Sequence, residues 1–410
     1  KRFHEPAILC ASGPEWRPCL LGHWIKTPEE MHAFHLKALQ HEQETGALLG
    51  GYNLAGGFAQ RPAETRQGGT KPKPSSADAR TNGQIFVQIA AYRDPDLIAT
   101  LRDLVGKASD PRRLRVGLCW QRSPEDSLEE FADDPRIRVR DVPWQQAKGL
   151  CWARRRTQEL HVDEEFTLQI DAHERFVDGW DDLLIRMLLE TDAAKPILTS
   201  YPEHFVPGAE PAPGVPYQIQ TTHFRENGTL NQFPYPMGNF EALAHPVPAR
   251  FVAGGFLFTR GAHCHEVPYD PMIYFGDEIS MAVRSYTHGY DLFHPHRHIA
   301  WHYYVRQGAA HHWDDHSESS RKDGISEHFW WLREWRSQLQ HEQLFGMADH
   351  RIREIPGFGR ERTLADYERF AGIDFRNRKI HRATLAGVPP PVPSQDDLDW
   401  RLGLRRVVVQ

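Results

Sequence analysis

The sequence predicts an α/β fold, an open sheet with helices packed on it, on two observations. From residue 84 to about 310, short apolar runs of strand length alternate with amphipathic stretches of helical period. Within that region the alternating run Phe166-Thr-Leu-Gln-Ile-Asp171 leads into Asp171-Ala-His173 and then into a helix start, Asp178-Gly-Trp-Asp-Asp-Leu-Leu. Two residues apart in extended chain, Asp171 and His173 point to the same side. At the C-terminal edge of an open α/β sheet, where this architecture binds ligands, the pair would converge on one divalent ion. Taken alone, the three letters also fit a loop cap beside an ordinary polar side chain.

The elements follow in order. Residues 1–61 read as an N-terminal extension whose clearest element is a helix starting Thr27-Pro-Glu-Glu30, with Thr27 as cap and Pro28 at the first helical position. Met31, Phe34 and Ala38 give it an apolar stripe that needs a partner surface. Residues 62–83, rich in Gly, Pro, Ser and Lys, read as a flexible linker. Residues 84–310 open with Ile85-Phe-Val-Gln-Ile-Ala-Ala-Tyr-Arg-Asp94, a buried first strand running into a polar turn. Gly149-Leu-Cys-Trp-Ala-Arg154-Arg-Arg lies on a helix, where Arg155 and Arg156 read as solvated charges. From 199 to 250 the periodicity is lost and prolines run throughout, among them Pro207, Pro211, Pro213, Pro216, Pro234, Pro236, Pro246 and Pro248. A structureless stretch of that length is disorder or a functional loop, and a loop over the active site is expected. Its aromatics Tyr217, Phe224, Phe233, Tyr235 and Phe240 either face a ligand or pin the loop down.

Ala253-Gly-Gly-Phe-Leu-Phe-Thr259 is a glycine-broken apolar strand, in which Gly254 and Gly255 mark close approach of a ligand or a β-bulge. Tyr274-Phe-Gly-Asp277-Glu278 then opens a helix, and two acids there would favour the helix dipole whatever else they do. His294-Pro-His-Arg-His-Ile-Ala-Trp-His302 follows. Residues 311–410 read as helical. Phe329, Trp330, Trp331 and Trp335 on a helix over 325–340 suggest packing, and Thr363-Leu-Ala-Asp366 marks a second helix start.

Composition bounds the function. At 410 residues with 40% hydrophobic and 25% charged side chains, the chain supports one large domain with additions. A net charge of −6 argues against generic nucleic-acid binding. No apolar run approaches the roughly 20 residues that span a bilayer. Cys10, Cys19, Cys119, Cys151 and Cys264 form neither a paired framework nor a Cys-x-x-Cys zinc pair, so a reducing, cytoplasmic setting is expected. Because residue 1 is Lys rather than Met, a removed leader or anchor stays open.

In order and spacing these segments resemble two related families. One is the polypeptide N-acetylgalactosaminyltransferases, with their Gly-Leu-x-x-Ala-Arg, Asp-x-His, Gly-Gly-Leu-Phe, Gly-Gly-Glu-Asn and late metal-binding His. The other matches more closely, through Tyr92-Arg-Asp94, Gly117-Leu-Cys-Trp120, Cys151-Trp-Ala-Arg154 and Tyr367-Glu-Arg-Phe-Ala-Gly-Ile-Asp-Phe375. It comprises the cytoplasmic enzymes that add N-acetylglucosamine (GlcNAc) to a hydroxyproline on the adaptor subunit of an F-box ubiquitin ligase. The resemblance covers about residues 84–380.

It implies a GT-A nucleotide-diphospho-sugar fold, a Rossmann-like mixed sheet flanked by helices, with UDP-GlcNAc as donor and a hydroxyl of a protein or a glycan as acceptor. Breaking the anomeric bond puts negative charge on the departing pyrophosphate, which a divalent cation and an arginine would stabilise. Asp171, His173 and His302 are the implied ligands of Mn²⁺, with Mg²⁺ or Co²⁺ as alternatives. His302 is chosen because the spacing from Gly276-Asp-Glu to Ala300-Trp-His302 resembles that from Gly-Gly-Glu-Asn to the late His of the first family, and His294, His296 and His298 compete with it. Arg154 is expected on the pyrophosphate. Ala91, Tyr92, Arg93 and Asp94 are expected around uracil and ribose, and Ala172, Gly254 and Gly255 against the donor. Asp277 stands where the first family has Glu, and Glu278 where it has Asn, so either acid could face the acceptor. The resemblance also implies retention at the anomeric carbon. The alternatives are another UDP-sugar with a glycan acceptor, a zinc hydrolase built on the late histidines, or a noncatalytic nucleotide-sugar binding module.

Overall fold

The computed structural model describes residues 19–20, 23–24 and 83–407, apart from 210, 212, 307, 324, 326–328 and 350–355. The chain divides into two compact units, residues 1–82 and 83–410. In the first, β1 (Cys19–Leu20) pairs antiparallel with β2 (His23–Trp24). The helix expected from Thr27 and the linker expected over 62–83, save its last residue, lie outside the described residues.

The second unit begins with β3 (Ile85–Tyr92), α1 (Leu97–Gly106), β4 (Leu114–Arg122), β5 (Ile137–Pro143), α2 (Leu150–Gln158), β6 (Phe166–Ile170), β7 (Glu174–Phe176) and α3 (Trp180–Leu189). It continues with β8 (Pro196–Thr199), β9 (Glu203–His204), β10 (Tyr217–Phe224), β11 (Leu230–Pro236), β12 (Val247–Pro248), β13 (Phe256–Arg260), α4 (His263–Glu266), α5 (Asp277–Thr287), β14 (Asp291–His294) and β15 (Ala300–His302). The C-terminal part holds α6 (His312–Asp315), α7 (Trp330–Leu344), α8 (Leu364–Ala371), β16 (Ile373–Asp374), β17 (Lys379–His381), α9 (Arg382–Leu385), α10 (Asp397–Gly403) and β18 (Leu404–Arg406).

Eight strands form the central sheet in the order β12-β14-β8-β13-β6-β3-β4-β5, parallel from β6 to β5 and interrupted by antiparallel β13 between β8 and β6. Strand side chains alternate between faces, and the sequence makes both faces apolar. Ile85, Val87 and Ile89 of β3 bury against Leu101 and Leu104 of α1 and Trp180 and Leu184 of α3. On the other face, Ile197, Leu257 and Leu292 pack with Ile279 and Val283 of α5, Cys151 of α2, and Tyr367 and Phe375. This mixed sheet covered on both sides is the GT-A architecture the sequence predicts.

Three expectations are corrected. The 199–250 stretch is not structureless: β10 and β11 form an antiparallel hairpin in which Pro236 lies opposite Tyr217 and Pro234 opposite Ile219. Spaced by two, the prolines turn their nitrogens to the same unpaired edge, so they are tolerated in a strand. The C-terminal region is not purely helical, since β16, β17 and β18 make a small sheet, and its Tyr367 and Phe375 share the core of the main sheet. Gly254 and Gly255 precede β13 instead of breaking it.

Candidate functional site

The site is built where β6 ends. Asp171, Ala172 and His173 cross from β6 to β7, which belongs to a second sheet of order β7-β15-β9. In that sheet His302 pairs with Glu174, which brings the late histidine beside the Asp-x-His segment. His302 Nε2 lies 3.2 Å from Asp171 Oδ2, and the His173 and His302 ring centroids are 4.6 Å apart. Ligand atoms of Asp171, His173 and His302 all fall within 4.8 Å of one another, the single such group among the described residues.

A divalent ion fits these donors. Ligand atoms about 2.1 Å from an ion and roughly at right angles are about 3 Å apart, as His302 Nε2 and Asp171 Oδ2 are. His173 Nδ1 donates to Asp94 Oδ2 at 2.9 Å, leaving Nε2 as a lone-pair donor whose direction the carboxylate fixes. Burial lowers the His302 pKa, so its ring is available neutral. Burial would raise the Asp171 carboxyl, but the His302 hydrogen bond and the Arg154 charge hold it well below the carboxylate range. Beside it, burial and the Asp171 charge push Glu174 well up, and Glu174 Oε1 accepts the Asp171 N–H at 3.0 Å. His294 and His298 are engaged elsewhere, through Nδ1 on the Thr199 and Val215 carbonyls, and His296 faces Glu190. None of the three joins the Asp171 group.

Arg154, on α2, links that group to the acids of α5. Its side chain is 3% exposed; Nη1 donates to Asp277 Oδ2 at 2.6 Å and Nη2 to Asp171 Oδ1 at 3.3 Å. The guanidinium expected on a pyrophosphate is therefore committed to two carboxylates here. It also explains the glycines: a Cβ on Gly254 would meet Arg154 Nη1 at 2.7 Å, and one on Gly255 would meet Asp171 Oδ2 at 3.0 Å. Glu278 is engaged on both oxygens, accepting the Gly254 N–H at 2.8 Å and the Tyr201 hydroxyl at 2.6 Å. Burial, then the Asp277 charge, raises Glu278 to about 7, and burial raises Asp277 as well.

At the end of β3, Ala91 is fully buried, and Ala172 is 1% exposed with its carbonyl on Thr100, so neither presents a side chain to solvent. Tyr92 donates its hydroxyl to Asp315 Oδ2 at 2.8 Å, and Arg93 donates to the same oxygen at 2.6 Å. Asp94 holds His173 and also accepts from Arg306 at 2.8 Å. Sequence reasoning missed Glu174, Tyr201, Arg306 and Asp315. Glu174 carried a signal, an acid directly after His173 in an apolar context; Tyr201 and Arg306 sit in irregular segments, and Asp315 on the four-residue α6, too short to show a period.

A family model described as Glycosyltransferase (GlcNAc) matches residues 84–133 and 128–377. No curated protein matches the chain. Solved structures similar to it include GalNAc-T7 with UDP, GalNAc and Mn²⁺, at 15% identity and TM-score 0.43 over 65% of this chain and 58% of that one. S. aureus TarS residues 1–349 in complex with UDP-GlcNAc is similar at 12% identity and TM-score 0.37, over 56% of this chain and 60% of that one. The chain thus spans less than two thirds of either. The family match runs from the first strand of the sheet through α8 and β16, well over half of the 410 residues, and the chain belongs to the glycosyltransferase (GlcNAc) family.

Proposed function

We propose that the protein is a metal-dependent, retaining enzyme that transfers GlcNAc from UDP-GlcNAc to a hydroxyl on a protein, with hydroxyproline as the acceptor suggested by the resemblance of Tyr92-Arg-Asp94 and 367–375. The observation that carries the reading is the convergence of Asp171, His173 and His302, with Arg154 joining Asp171 to Asp277. Donor-side ligands and an acceptor-side acid then share one buried linkage.

Asp171, His173 and His302 would hold Mn²⁺, Mg²⁺ or Co²⁺, and the bound ion would stabilise the charge that builds on the departing pyrophosphate. Asp94 orients His173. Arg306, on the segment after His302 and hydrogen-bonded to Asp94, has a buried Nε with no partner among the described residues and would offer a guanidinium to a phosphate oxygen. Ala91, Tyr92 and Arg93 lie on the side assigned to uracil and ribose, and Gly254 and Gly255, packed against Arg154 and Asp171, lie on the side assigned to the donor. Asp277 would orient the attacking hydroxyl. The new bond from acceptor oxygen to the anomeric carbon forms on the face that the phosphate oxygen leaves, and the acceptor proton passes to that departing oxygen. A cytoplasmic setting is part of the proposal, with Cys119, Cys151 and Cys264 all buried as free thiols.

The test is UDP release from a panel of nucleotide sugars with Mn²⁺ and with EDTA, alongside thermal shifts on UDP addition. Turnover of UDP-GlcNAc and strong stabilisation by UDP, both only with Mn²⁺, are expected. His302→Ala should weaken metal-dependent UDP binding as much as His173→Ala does, and His296→Ala should leave it unchanged. Equal stabilisation in EDTA, or damage from His296→Ala instead, would remove the proposed metal site.

A further inference from the structure

The turn that delivers Asp277 is gripped from outside the sheet, by α7. Phe275 and Gly276 precede α5 outside any strand or helix, so their backbone groups need partners from elsewhere. Ser337 of α7 supplies them for Phe275: its Oγ accepts the Phe275 N–H at 3.2 Å and donates to the Phe275 carbonyl at 2.8 Å. One turn on, His341 is fully buried, neither ring nitrogen has a partner among the described residues, and its ring meets that of Phe345 with centroids 4.5 Å apart. Its ring also abuts Gly276. A Cβ there would come within 2.9 Å of His341 Nδ1, and Gly276 already sits at φ +84°, so only glycine lets the ring and the turn meet. On the opposite side, the Tyr274 ring lies where a Cβ on Gly149 would be, 2.6 Å away, at the start of the helix that carries Arg154.

We propose that Ser337 and His341 are positioning residues for the transfer reaction, holding the Phe275–Gly276 turn so that the Asp277 carboxylate stays on Arg154. The proposal rests on the reading of Asp277 as the acceptor-side acid. A hydroxyl that bonds both backbone groups of one residue fixes that residue's orientation and not merely its distance. An imidazole with both nitrogens unused is present for its shape, and the shape is matched by the glycine beneath it. Neither residue touches Asp171, His173 or His302, so their loss should leave the donor side intact.

The experiment is a double-mutant cycle on the full chain, reading kcat for UDP-GlcNAc hydrolysis, UDP–Mn²⁺ affinity by calorimetry, and Tm. Ser337→Ala should lower kcat about tenfold, the scale of a small misplacement of a reacting group, with UDP affinity within about twofold. Ser337→Thr, which keeps the hydroxyl, should restore most of that loss. In the Asp277→Asn background Ser337→Ala should have no further effect, because its influence passes through that carboxylate. His341→Ala should behave like Ser337→Ala and supplies a second reading should one variant fold poorly. Wild-type kcat in Ser337→Ala with Asp277→Asn inactive overturns the role of α7 alone. A full additive loss in the double variant also overturns it, since the helix would then act on something else. Full activity of Asp277→Asn overturns the reading of Asp277 and the proposal with it.

Discussion

Asp277 and Glu278 stand side by side at the start of α5 and meet different partners. Glu278 has both oxygens occupied, by the Gly254 N–H and the Tyr201 hydroxyl, so it fixes the glycine segment that borders Asp171. Asp277 is tied to Arg154 instead, and through it to the metal candidates. The sequence left open which acid faces the acceptor, because its two-letter order departs from the family pattern; the hydrogen bonds favour Asp277. Asp277→Asn keeps the shape and removes the charge, so transfer and donor hydrolysis should fall about 10²-fold or more, as for a lost electrostatic contact in a transition state. UDP and Mn²⁺ affinity should barely change, though stability drops because Arg154 then keeps only Asp171 as a charged partner. Glu278→Gln should be milder, since the amide oxygen still accepts from Gly254. UDP-release rates and calorimetry on both variants decide the matter: lost UDP binding in Asp277→Asn would move the residue to the metal side, and a larger loss in Glu278→Gln would exchange the two roles. At this scale the sequence made the Asp171, His173 and His302 group legible because spacing and order carry it. Arg306, Tyr201 and Asp315 were not legible, since the first two reach the site from irregular segments and the third from a four-residue helix, all far from Asp171 in the chain.

At the scale of elements, legibility followed length and local chemistry. The long apolar runs that became β3 and β6, and the helices after Gly149 and Gly276, are readable because their periodicity persists for several residues. β16, β17 and β18 are two or three residues each, too short to show a period, and the β10–β11 hairpin was hidden by prolines that an edge strand accepts. The start of α8 was readable because a capping box needs only neighbours. Thr363 Oγ1 accepts the Asp366 N–H at 3.1 Å, and Asp366 Oδ2 accepts the Thr363 N–H at 2.7 Å. The helix so started carries Tyr367, whose buried hydroxyl donates to the Arg250 carbonyl at 2.6 Å and ties the C-terminal region to the main core. Thr363→Ala should therefore cost about 1 kcal/mol in chemical denaturation. UDP affinity and turnover of the folded fraction should not move, because α8 lies behind α5 and touches none of the site residues. An unchanged denaturation midpoint would show that tertiary packing, rather than the cap, sets the start of α8.

For the molecule as a whole, buried ionisable groups of opposite tendency set the response to acid. Burial depresses His263 and His341 to about 3 and His294 to about 4, all from an ordinary value of 6.5. These rings stay neutral in the fold while the unfolded chain takes up protons, so acid draws the protein toward unfolding from about 6.5 down to the folded values. Burial acts the other way on Glu278, raised to about 7, and on Glu174 and Asp277, also raised. Glu278 takes up its proton in the fold from about pH 7 while the unfolded chain stays ionised down to its ordinary 4.5, so it favours the fold across that window, and the raised Glu174 and Asp277 act in the same direction. Each group contributes about 1.4 kcal/mol per pH unit within its window, so the acids offset only part of the histidines, to which His298, lowered by burial to about 4, adds a fourth. Below their ordinary values, 4.5 for Glu278 and Glu174 and 3.8 for Asp277, the acids are protonated in both states and their contribution is complete. The histidines continue to draw toward unfolding, joined by Asp171, whose depressed pKa gives stability that is lost as pH falls below its ordinary 3.8. The denaturation midpoint in EDTA should accordingly fall gently from about pH 6.5 to 4.5 and drop more steeply toward 3. Urea midpoints at half-unit steps would measure it, and a decline as steep between about pH 6.5 and 4.5 as below 4.5 would mean that the buried acids give the histidines no counterweight.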